Sequence, residues 1–361
     1  ASKHGGAVVV GLGETQIDAV RRGLAGDVNS PFGGFLGFNT PLERETAEFI
    51  DRMFIEGTFA PDYEEAVVDL LRSTERVSAH ANRILARYPV RTLAELDGLI
   101  DYRTIKGGLL TQTPQNLRLD VRNQACVVSG NQRNGDSMDV SCLGDEIVSA
   151  AQLAVDMGGL IASNTVLYAV RNALVGVGNG VGNRYFAARN GRASIEESLW
   201  NNIGDKEHAR RALYDTPFTL GDFRDVLDPD MKLVVYSDGF FPKPDALIEA
   251  LGIDRVNPAF SGGVFNYAIP GKPEQRMLLK RDNYTGEYDG RLVAKAVVQP
   301  GLCLGDADAK AITNQFGIPM IFLVSQADYN RREELLAKGD SDSKAEARKI
   351  EGARRFSHQS C

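Results

Sequence analysis

The chain has 361 residues, of which 43% are hydrophobic and 25% are charged, a composition typical of a globular protein with room for two domains. Its formal net charge of −7, without a dense run of Lys and Arg, argues against nucleic acid or an anionic membrane as the main partner. No stretch approaches about 18 consecutive apolar residues, so no transmembrane helix is predicted. The four cysteines form no C-x-x-C motif and no cluster with histidine, which favours a reducing compartment, the cytoplasm, and predicts no structural zinc site.

The first predicted elements alternate between strand and helix. The β-branched run Ala7 to Leu12 is bounded by glycines and predicts one buried strand, and Thr15 to Leu24 then has helical spacing. The pattern returns in FLGFN, which is followed by the helical PLERETAEFIDRMF. A turn at Pro61-Asp62 then starts the helix YEEAVVDLLRS. Such alternation indicates a layered α/β domain.

The second half of the chain repeats this alternation after a predicted hairpin. The apolar runs TVLYAV and ALVGVG are joined by a turn at Arg171-Asn172. Three more apolar strands follow, each leading into a loop and most into a helix: KLVVYSD, AVVQPG and PMIFLV. The polar segment from Lys338 to Arg355 predicts an exposed helix.

Two α/β units are therefore predicted, one over residues 1–120 and one over residues 121–361. The boundary is expected in the polar stretch from Gln112 to Asp139. Because the sequence opens on Ala-Ser-Lys-His, with neither Met nor a signal peptide, we expect the first unit to have a further segment upstream.

Candidate chemistry begins with the scarce histidines, of which the chain has four. His4 follows Lys3 and precedes two glycines, so the backbone there can turn tightly and bring a substrate close to both side chains. The neighbouring cation would keep the imidazole neutral and able to accept a proton near pH 7. The alternative is a solvated pair at a frayed chain end.

Four further segments are candidates, three of them predicted loops and the last, RRFSH, a predicted strand. SPFGG offers Phe32 for stacking and Gly33 for backbone N–H contacts to a nucleotide, although a plain turn explains it equally well. GVGNGVGNR, which ends in Arg184, suits a loop near a phosphate or planar anion, or a flexible hairpin tip. SDGFFPKPD follows a strand and offers two phenylalanines as a cleft wall or as core residues. RRFSH adds a cation and a histidine near the end of the chain.

Taken in order, these strings resemble the formyltransferase half of the bifunctional purine-biosynthesis enzymes, the AICAR transformylase/IMP cyclohydrolase family. The resemblance covers most of the chain at near-family spacing. It is carried by ASKHGGA, GDVNSPFGGFLGFNTPLERETAEFI, IEGTFAPDYEEAVVDLL, IKGGLLTQ, SNTVLYA with GVGNG and Arg184, VVYSDGFFPKPD, VVQPGLCLGDADAKAITNQFGIPMIF and RRFSH. The cyclohydrolase part of the family is outside this sequence.

The resemblance implies a fold, an activity and a set of site residues. The fold would be two cytidine-deaminase-like three-layer α/β/α units in tandem, in a homodimer with shared active sites. The activity would be formyl transfer from 10-formyltetrahydrofolate to 5-aminoimidazole-4-carboxamide ribonucleotide (AICAR), with His4 as general base and Lys3 stabilising the oxyanion. Implied substrate contacts are Phe32, Gly33, Glu56, Asn164, Arg184, Arg354 and His358. Implied folate contacts are Tyr185, Phe240, Phe241, Leu302 and Cys303, and Asp238 would help to hold K⁺.

Some residues depart from the family pattern. The family's G-x-G-Q-x-S-R loop reads GNGVGNR, the run before Ser163-Asn164 has Asp156 and no lysine, SDAFFP has become SDGFFP, and residues 254–292 and 325–352 look like insertions. These changes leave two alternatives open. One is a formyltransferase that acts on a different amine, and the other is a nucleotide- or folate-binding homologue without catalysis. The zinc signature of the deaminases, H-x-E with P-C-x-x-C, is absent from the sequence, which argues against zinc-dependent deamination.

Overall fold

The computed structural model describes sixteen segments of the chain: residues 2–3, 6–7, 9–27, 33–53, 55–72, 83–91, 95, 100–112, 119–130, 137–161, 163–203, 232–253, 264–269, 272–280, 293–303 and 306–353. Within them the protein is a mixed α/β structure, which confirms the predicted class. Its strands form a five-stranded sheet, an eight-stranded sheet and two separate hairpins. None of the described helices is long and apolar enough to cross a membrane.

The smaller sheet is built from the N-terminal part of the chain. In chain order the elements are β1 (Ser2–Lys3), β2 (Gly6–Ala7), β3 (Val10–Gly11), α1 (Gln16–Ala25), β4 (Phe35–Gly37), α2 (Arg44–Ile50), β5 (Gly57–Ala60), α3 (Glu65–Arg72) and β6 (Ile84–Arg87). The sheet has the order β2-β1-β4-β5-β6, with β4, β5 and β6 parallel. Leu36, Thr58 and Ala60 are buried on one of its faces. A hairpin of β7 (Asp101–Ile105) and β8 (Gly108–Gln112) follows.

The single strand predicted over Ala7 to Leu12 is wrong, since the chain leaves the smaller sheet after β2 and joins the larger one as β3. Between the two strands Val9 is buried. The crossing is followed closely by α1, which begins at the N-cap Thr15 and packs directly on β3. A side chain at Gly11 would meet helix backbone, because its Cβ would lie 2.0 Å from the carbonyl oxygen of Ala19.

A buried glutamine ties α1 to the start of α2. The Nε2 atom of Gln16 donates to the hydroxyl of Thr40 at 2.8 Å and to the carbonyl of Pro41 at 3.0 Å. Its Oε1 atom accepts from the backbone N–H of Glu43 at 2.9 Å. All three bonds join segments distant in sequence, so they fix how the strand-helix units pack.

The larger sheet uses the rest of the chain and β3. Its elements in chain order are α4 (Val121–Gln124), β9 (Cys126–Ser129), β10 (Met138–Asp139), a 3₁₀ helix (Val140–Leu143), α5 (Asp145–Gly158), β11 (Val166–Val170), β12 (Ala173–Gly178), α6 (Arg184–Ile203), β13 (Val234–Ser237), α7 (Pro244–Leu251), β14 (Val264–Ile269), β15 (Lys272–Lys280), β16 (Ala296–Gln299), α8 (Asp306–Phe316), β17 (Met320–Phe322), α9 (Gln326–Lys338) and α10 (Ser341–Ala353). The strand order is β10-β9-β17-β16-β13-β11-β12-β3. The remaining strands, β14 and β15, form the second separate hairpin.

The centre of the larger sheet is covered on both faces. Its strands β13, β16 and β17 are parallel, and every residue in them is buried, as expected for parallel strands between two helical layers. Residues of α5 pack on one face, and residues of α6, α7 and α8 pack on the other. The predicted hairpin of β11 and β12, the three later strands and the exposed C-terminal helix α10 are confirmed.

Candidate functional site

The first group of predicted site residues lies at one end of the smaller sheet. Strand β1 is antiparallel to β4, with Ser2 opposite Phe35, so the next residue along β1, Lys3, lies toward Gly33 and Gly34. Gly33 has a φ of +69°, which glycine adopts without strain. Glu56 precedes β5 at the same end of the sheet. The structure therefore brings Lys3, Gly33 and Glu56 to one sheet end by backbone pairing.

The backbone of Glu56 is held from both sides. Its N–H donates to the carbonyl of Gly34 at 3.0 Å, and its carbonyl accepts from the N–H of Ile84 at 2.9 Å. The residue itself is exposed. Glu56 is thus anchored by its main chain, while its carboxylate stays accessible to a ligand.

Four predicted site residues lie outside the described segments: His4, Phe32, Arg354 and His358. Lys3 pairs with Gly6, and His4 is one of the two residues joining them in sequence. The roles predicted for these four residues stay predictions.

A second group lies at one end of the larger sheet, around an ion pair. The carboxylate of Asp238 receives the guanidinium of Arg184, and its Oδ1 atom also accepts from the backbone N–H of Thr165 at 3.0 Å. The side chains of Arg184 and Asp238 are 6% and 1% exposed. Arg184 Nη2 also donates to Asn164 Oδ1 at 3.2 Å, and Asn164 Nδ2 donates to the carbonyl of Val181 at 3.0 Å.

These bonds connect three segments that are far apart in the chain. Asn164 precedes β11, Arg184 begins α6 and Asp238 follows β13. The strand pairs Val166–Ser237 and Val166–Gly178 bring all three segments to the same end of the sheet. Breaking a buried, hydrogen-bonded ion pair typically costs several kcal/mol, so the network is a rigid part of the site.

The predicted role of Asp238 in holding K⁺ stays a prediction. In the described structure the carboxylate of Asp238 is paired with the guanidinium of Arg184. In the described part of the chain, no group of three or more His, Cys, Asp or Glu side chains could hold a metal. Arg184 also faces a carboxylate, so a role for it in binding a ligand anion stays a prediction.

The predicted aromatic contacts divide into core and accessible positions. Phe241 is 3% exposed and belongs to the main hydrophobic core, so the alternative reading as a core residue is confirmed for its position. Phe240 and Tyr185 are partly exposed. The ring of Tyr185 packs edge-on against Phe186, with 5.7 Å between ring centroids. Phe240 and Tyr185 remain the accessible aromatic candidates.

The turn after β16 carries the other predicted folate residues. Leu302 is 6% exposed, and Cys303 is partly exposed. Asp306, at the start of α8, accepts hydrogen bonds from the backbone N–H of Cys303 at 2.6 Å and from Gln299 Nε2 at 2.7 Å. Burial raises the pKa of Asp306 to about 6, partly opposed by the Cys303 bond and by the charge of Lys310.

Asp306, Gln299 and Thr165 are site residues that sequence reasoning missed. An acidic residue in the first turn of a helix usually reads as a helix cap or a response to the helix dipole. The sequence contains one local signal for Asp306, the pair of acids in LGDADAK that precedes a helical pattern. Nothing local indicates that its carboxylate turns inward.

Chain direction links the two groups. Strand β3 is antiparallel to β12, with Val10 opposite Leu174 and Gly11 opposite Ala173. The chain therefore approaches β3 from the direction of Gly178, the end of β12 at which the second group lies. The hairpin of β1 and β2 precedes β3 on that approach, so the N-terminal segment enters the larger sheet from its site end.

Comparison with known proteins gives one family and a consistent set of relatives. The family model described as AICARFT/IMPCHase bienzyme matches residues 1–194. Among curated relatives, the bifunctional purine biosynthesis protein PurH of Chlorobium phaeobacteroides is 30% identical over 196 residues, which is 54% of this chain and 34% of the relative. PurH of Parvibaculum lavamentivorans is 29% identical over 248 residues, 69% of this chain and 39% of the relative. PurH of Rhizobium johnstonii is 25% identical over 327 residues, 89% of this chain and 45% of the relative.

The chain spans less than half the length of each of these three relatives, at 34%, 39% and 45%. The matched family model also ends at residue 194, inside α6.

Proposed function

Because the chain belongs to the AICARFT/IMPCHase bienzyme family, we propose that it is an enzyme of purine biosynthesis that transfers the formyl group of 10-formyltetrahydrofolate to the 5-amino group of AICAR. The observation that carries this proposal is the sheet end at which Lys3, Gly33 and Glu56 meet. The resemblance assigns Lys3, together with His4, to formyl transfer and assigns Gly33 and Glu56 to AICAR binding. Lys3, Gly33 and Glu56 are far apart in the sequence, so their positions alone do not predict that they lie at one sheet end.

The proposed chemistry is an acyl transfer between two nitrogens. The amine of AICAR attacks the formyl carbon, His4 takes the proton that the amine loses, and Lys3 stabilises the negative charge that develops on the formyl oxygen. The bond from the formyl carbon to the folate nitrogen then breaks, and the proton held by His4 goes to the departing nitrogen. Tetrahydrofolate and formylated AICAR are the products.

The remaining parts of the proposal concern ligands and assembly. AICAR would contact Gly33 and Glu56 at the smaller sheet, with Asn164 on its carboxamide side. The folate would lie near Tyr185, Phe240 and the turn at Leu302 and Cys303. Two cytidine-deaminase-like units would build each subunit, and two subunits would share active sites in a cytoplasmic homodimer.

The test is a formyl-transfer assay on the full chain. The protein is mixed with AICAR and 10-formyltetrahydrofolate, and tetrahydrofolate formation is followed by absorbance. We expect turnover, and we expect His4→Ala to lower kcat by roughly 10²–10⁴-fold, since a single positioned acid–base group contributes about that much. A folded protein that forms no tetrahydrofolate would contradict the proposal.

A second candidate keeps the chemistry and changes the acceptor amine. The observation that favours it is the Arg184–Asp238 pair, because this arginine, expected to meet the ligand, is 6% exposed against a buried carboxylate. The altered loop GNGVGNR ends at the same arginine. Calorimetry separates the candidates: tetrahydrofolate should release heat in both cases, whereas AICAR should do so only if it is the acceptor.

A further inference from the structure

The turn that follows β16 is tied down by one buried carboxylate. Asp306 is 4% exposed, and its two oxygens accept from different partners. Oδ2 accepts from the backbone N–H of Cys303 at 2.6 Å, and Oδ1 accepts from Gln299 Nε2 at 2.7 Å. The backbone N–H of Asp306 in turn donates to the carbonyl of Cys303 at 3.1 Å. The side chain therefore bridges the last residue of β16 and the turn beyond it.

The backbone of this turn needs such support. Leu302 has a φ of +66° and is, among the described residues, the one non-glycine with a positive φ. That conformation costs an L-residue about 1–2 kcal/mol, and it persists only where the surroundings enforce it. On the other side, Gly301 lies against the ring of Phe322, since a Cβ on Gly301 would be 2.3 Å from that ring. The turn is thus pressed against the core and held by Asp306.

A carboxylate suits both hydrogen bonds, and an amide does not. The two groups that face Asp306, the Cys303 N–H and the Gln299 Nε2 group, are both donors. An asparagine could accept from one of them, but its own NH₂ would face the other. Gln299 is fully buried, and its Oε1 atom has no hydrogen-bond partner in the described structure. Within the described residues, the bond to Asp306 is therefore what orients the Gln299 amide.

We propose that Asp306 is a positioning residue for the folate co-substrate, acting by holding the turn from Gly301 to Cys303 in the shape that receives the folate. This inference rests on the proposed function, since it takes the folate as the ligand of that turn. Asp306 acts through the turn and does not touch the folate. Losing it should loosen the turn and weaken folate binding, with little effect on the acid–base chemistry at Lys3 and His4.

The thiol of Cys303 offers a readout that does not depend on catalysis. The changes Cys142→Ser and Cys361→Ser leave Cys303 as the accessible thiol, because Cys126 is buried. In that background we expect Asp306→Asn to speed alkylation of Cys303 by iodoacetamide on the order of tenfold, the factor expected for losing one hydrogen bond to a charged group. Asp308→Asn is the matched control, since it removes the same charge from the same helical turn, and it should leave the labelling rate unchanged.

Kinetics give the functional half of the test. With Asp306→Asn, the KM for 10-formyltetrahydrofolate should rise on the order of tenfold, while kcat and the KM for AICAR change by less than about twofold. Melting curves establish whether the variant is folded. If Asp306→Asn does not fold, Gln299→Met replaces it, because that change removes the amide that donates to the Asp306 carboxylate. Gln299→Met should likewise speed Cys303 labelling and raise the folate KM.

Three outcomes would overturn the inference. These are an unchanged Cys303 labelling rate in a folded variant, a labelling rate raised equally by Asp308→Asn, and a fall in kcat with an unchanged folate KM. Failure of the proposed function is seen separately, as absence of formyl transfer by the parent protein. In that case the test is whether tetrahydrofolate protects Cys303 from iodoacetamide. Protection in the parent that is lost in Asp306→Asn supports the inference, and absence of protection in the parent overturns it.

Discussion

The two groups of site residues are built in opposite ways. At the smaller sheet, Lys3, Gly33 and Glu56 are placed by main-chain pairing of short strands, and the Glu56 side chain stays accessible. At the larger sheet, Arg184, Asp238 and Asp306 are each at most 6% exposed and are placed by side-chain hydrogen bonds. The Arg184–Asp238 bond joins residues 54 positions apart, whereas Asp306 bonds within its own turn. The Glu56 side chain is therefore accessible, whereas the buried side chains of the second group fix the shape of their sheet end.

This difference separates two kinds of mutational effect. A change of the Glu56 side chain should lower the rate of the proposed reaction and leave stability nearly intact, because that side chain is exposed. Changes in the second group should lower stability first, because they leave a buried charge or donor without its partner.

The largest expected effect on stability comes from Arg184→Met. Removing the guanidinium leaves Asp238 buried with its charge uncompensated, and we expect the free energy of unfolding to fall by about 3–5 kcal/mol. Urea unfolding followed by circular dichroism measures it. Arg189→Met, an exposed arginine on the same helix, is the control and should change stability by less than about 0.5 kcal/mol. Equal effects of the two variants would contradict the difference between the regions.

Asp306 should give stability a distinct pH dependence. Its pKa is about 6 in the folded protein and 3.8 in a free aspartate, so the folded state holds the proton more tightly. Its contribution to the free energy of unfolding is therefore fully present below pH 3.8. That contribution is lost as the pH rises toward 6, and it stays flat above that. At about 1.36 kcal/mol per pKa unit, the change is at most roughly 3 kcal/mol.

Other carboxylates titrate in the same pH range, so the effect of Asp306 is measured as the difference in stability between two proteins. The free energy of unfolding is measured from pH 4 to 7 for the parent and for Asp306→Asn, and the parent should lose stability relative to the variant as the pH rises. Lys310 and Arg332 are the cations that oppose this shift through their charge, so Lys310→Met should move the transition to higher pH. A constant difference between parent and Asp306→Asn would contradict the role given to burial.

The smallest expected effect on stability belongs to the first group. Gly33→Ala places a side chain at a φ of +69° and should cost about 1 kcal/mol of stability, together with a larger fractional loss of AICAR affinity. Gly37→Ala, in the same sheet with nothing within 4 Å of the added Cβ, is the control. If Gly33→Ala lowered stability as much as Arg184→Met does, the two regions would not differ in how strongly stability depends on their site residues.

Regular elements were predictable from the sequence because their signals are local. The paired apolar runs around Arg171-Asn172 and the later strands were identified from hydrophobic runs and turn residues, and the structure has them. The run from Ala7 to Leu12 was misread as one strand, since pattern alone does not show that a chain changes sheets. The two-unit division at residue 120 stays a prediction, and β3 shows that the first unit contributes a strand to the second sheet.

The family was also within reach of the sequence, because a family is defined by ordered local strings such as those around Lys3, Gly33 and Arg184. What only the tertiary structure decided is which buried groups meet. Arg184 reads as a ligand-binding arginine beside a glycine-rich loop, and the fold turns it onto Asp238, 54 residues away. Asp306 reads as a helix-capping acid, and the fold turns its carboxylate onto Gln299 and Cys303. The energy of a buried charge depends on its partners in space, and a linear pattern carries no record of them.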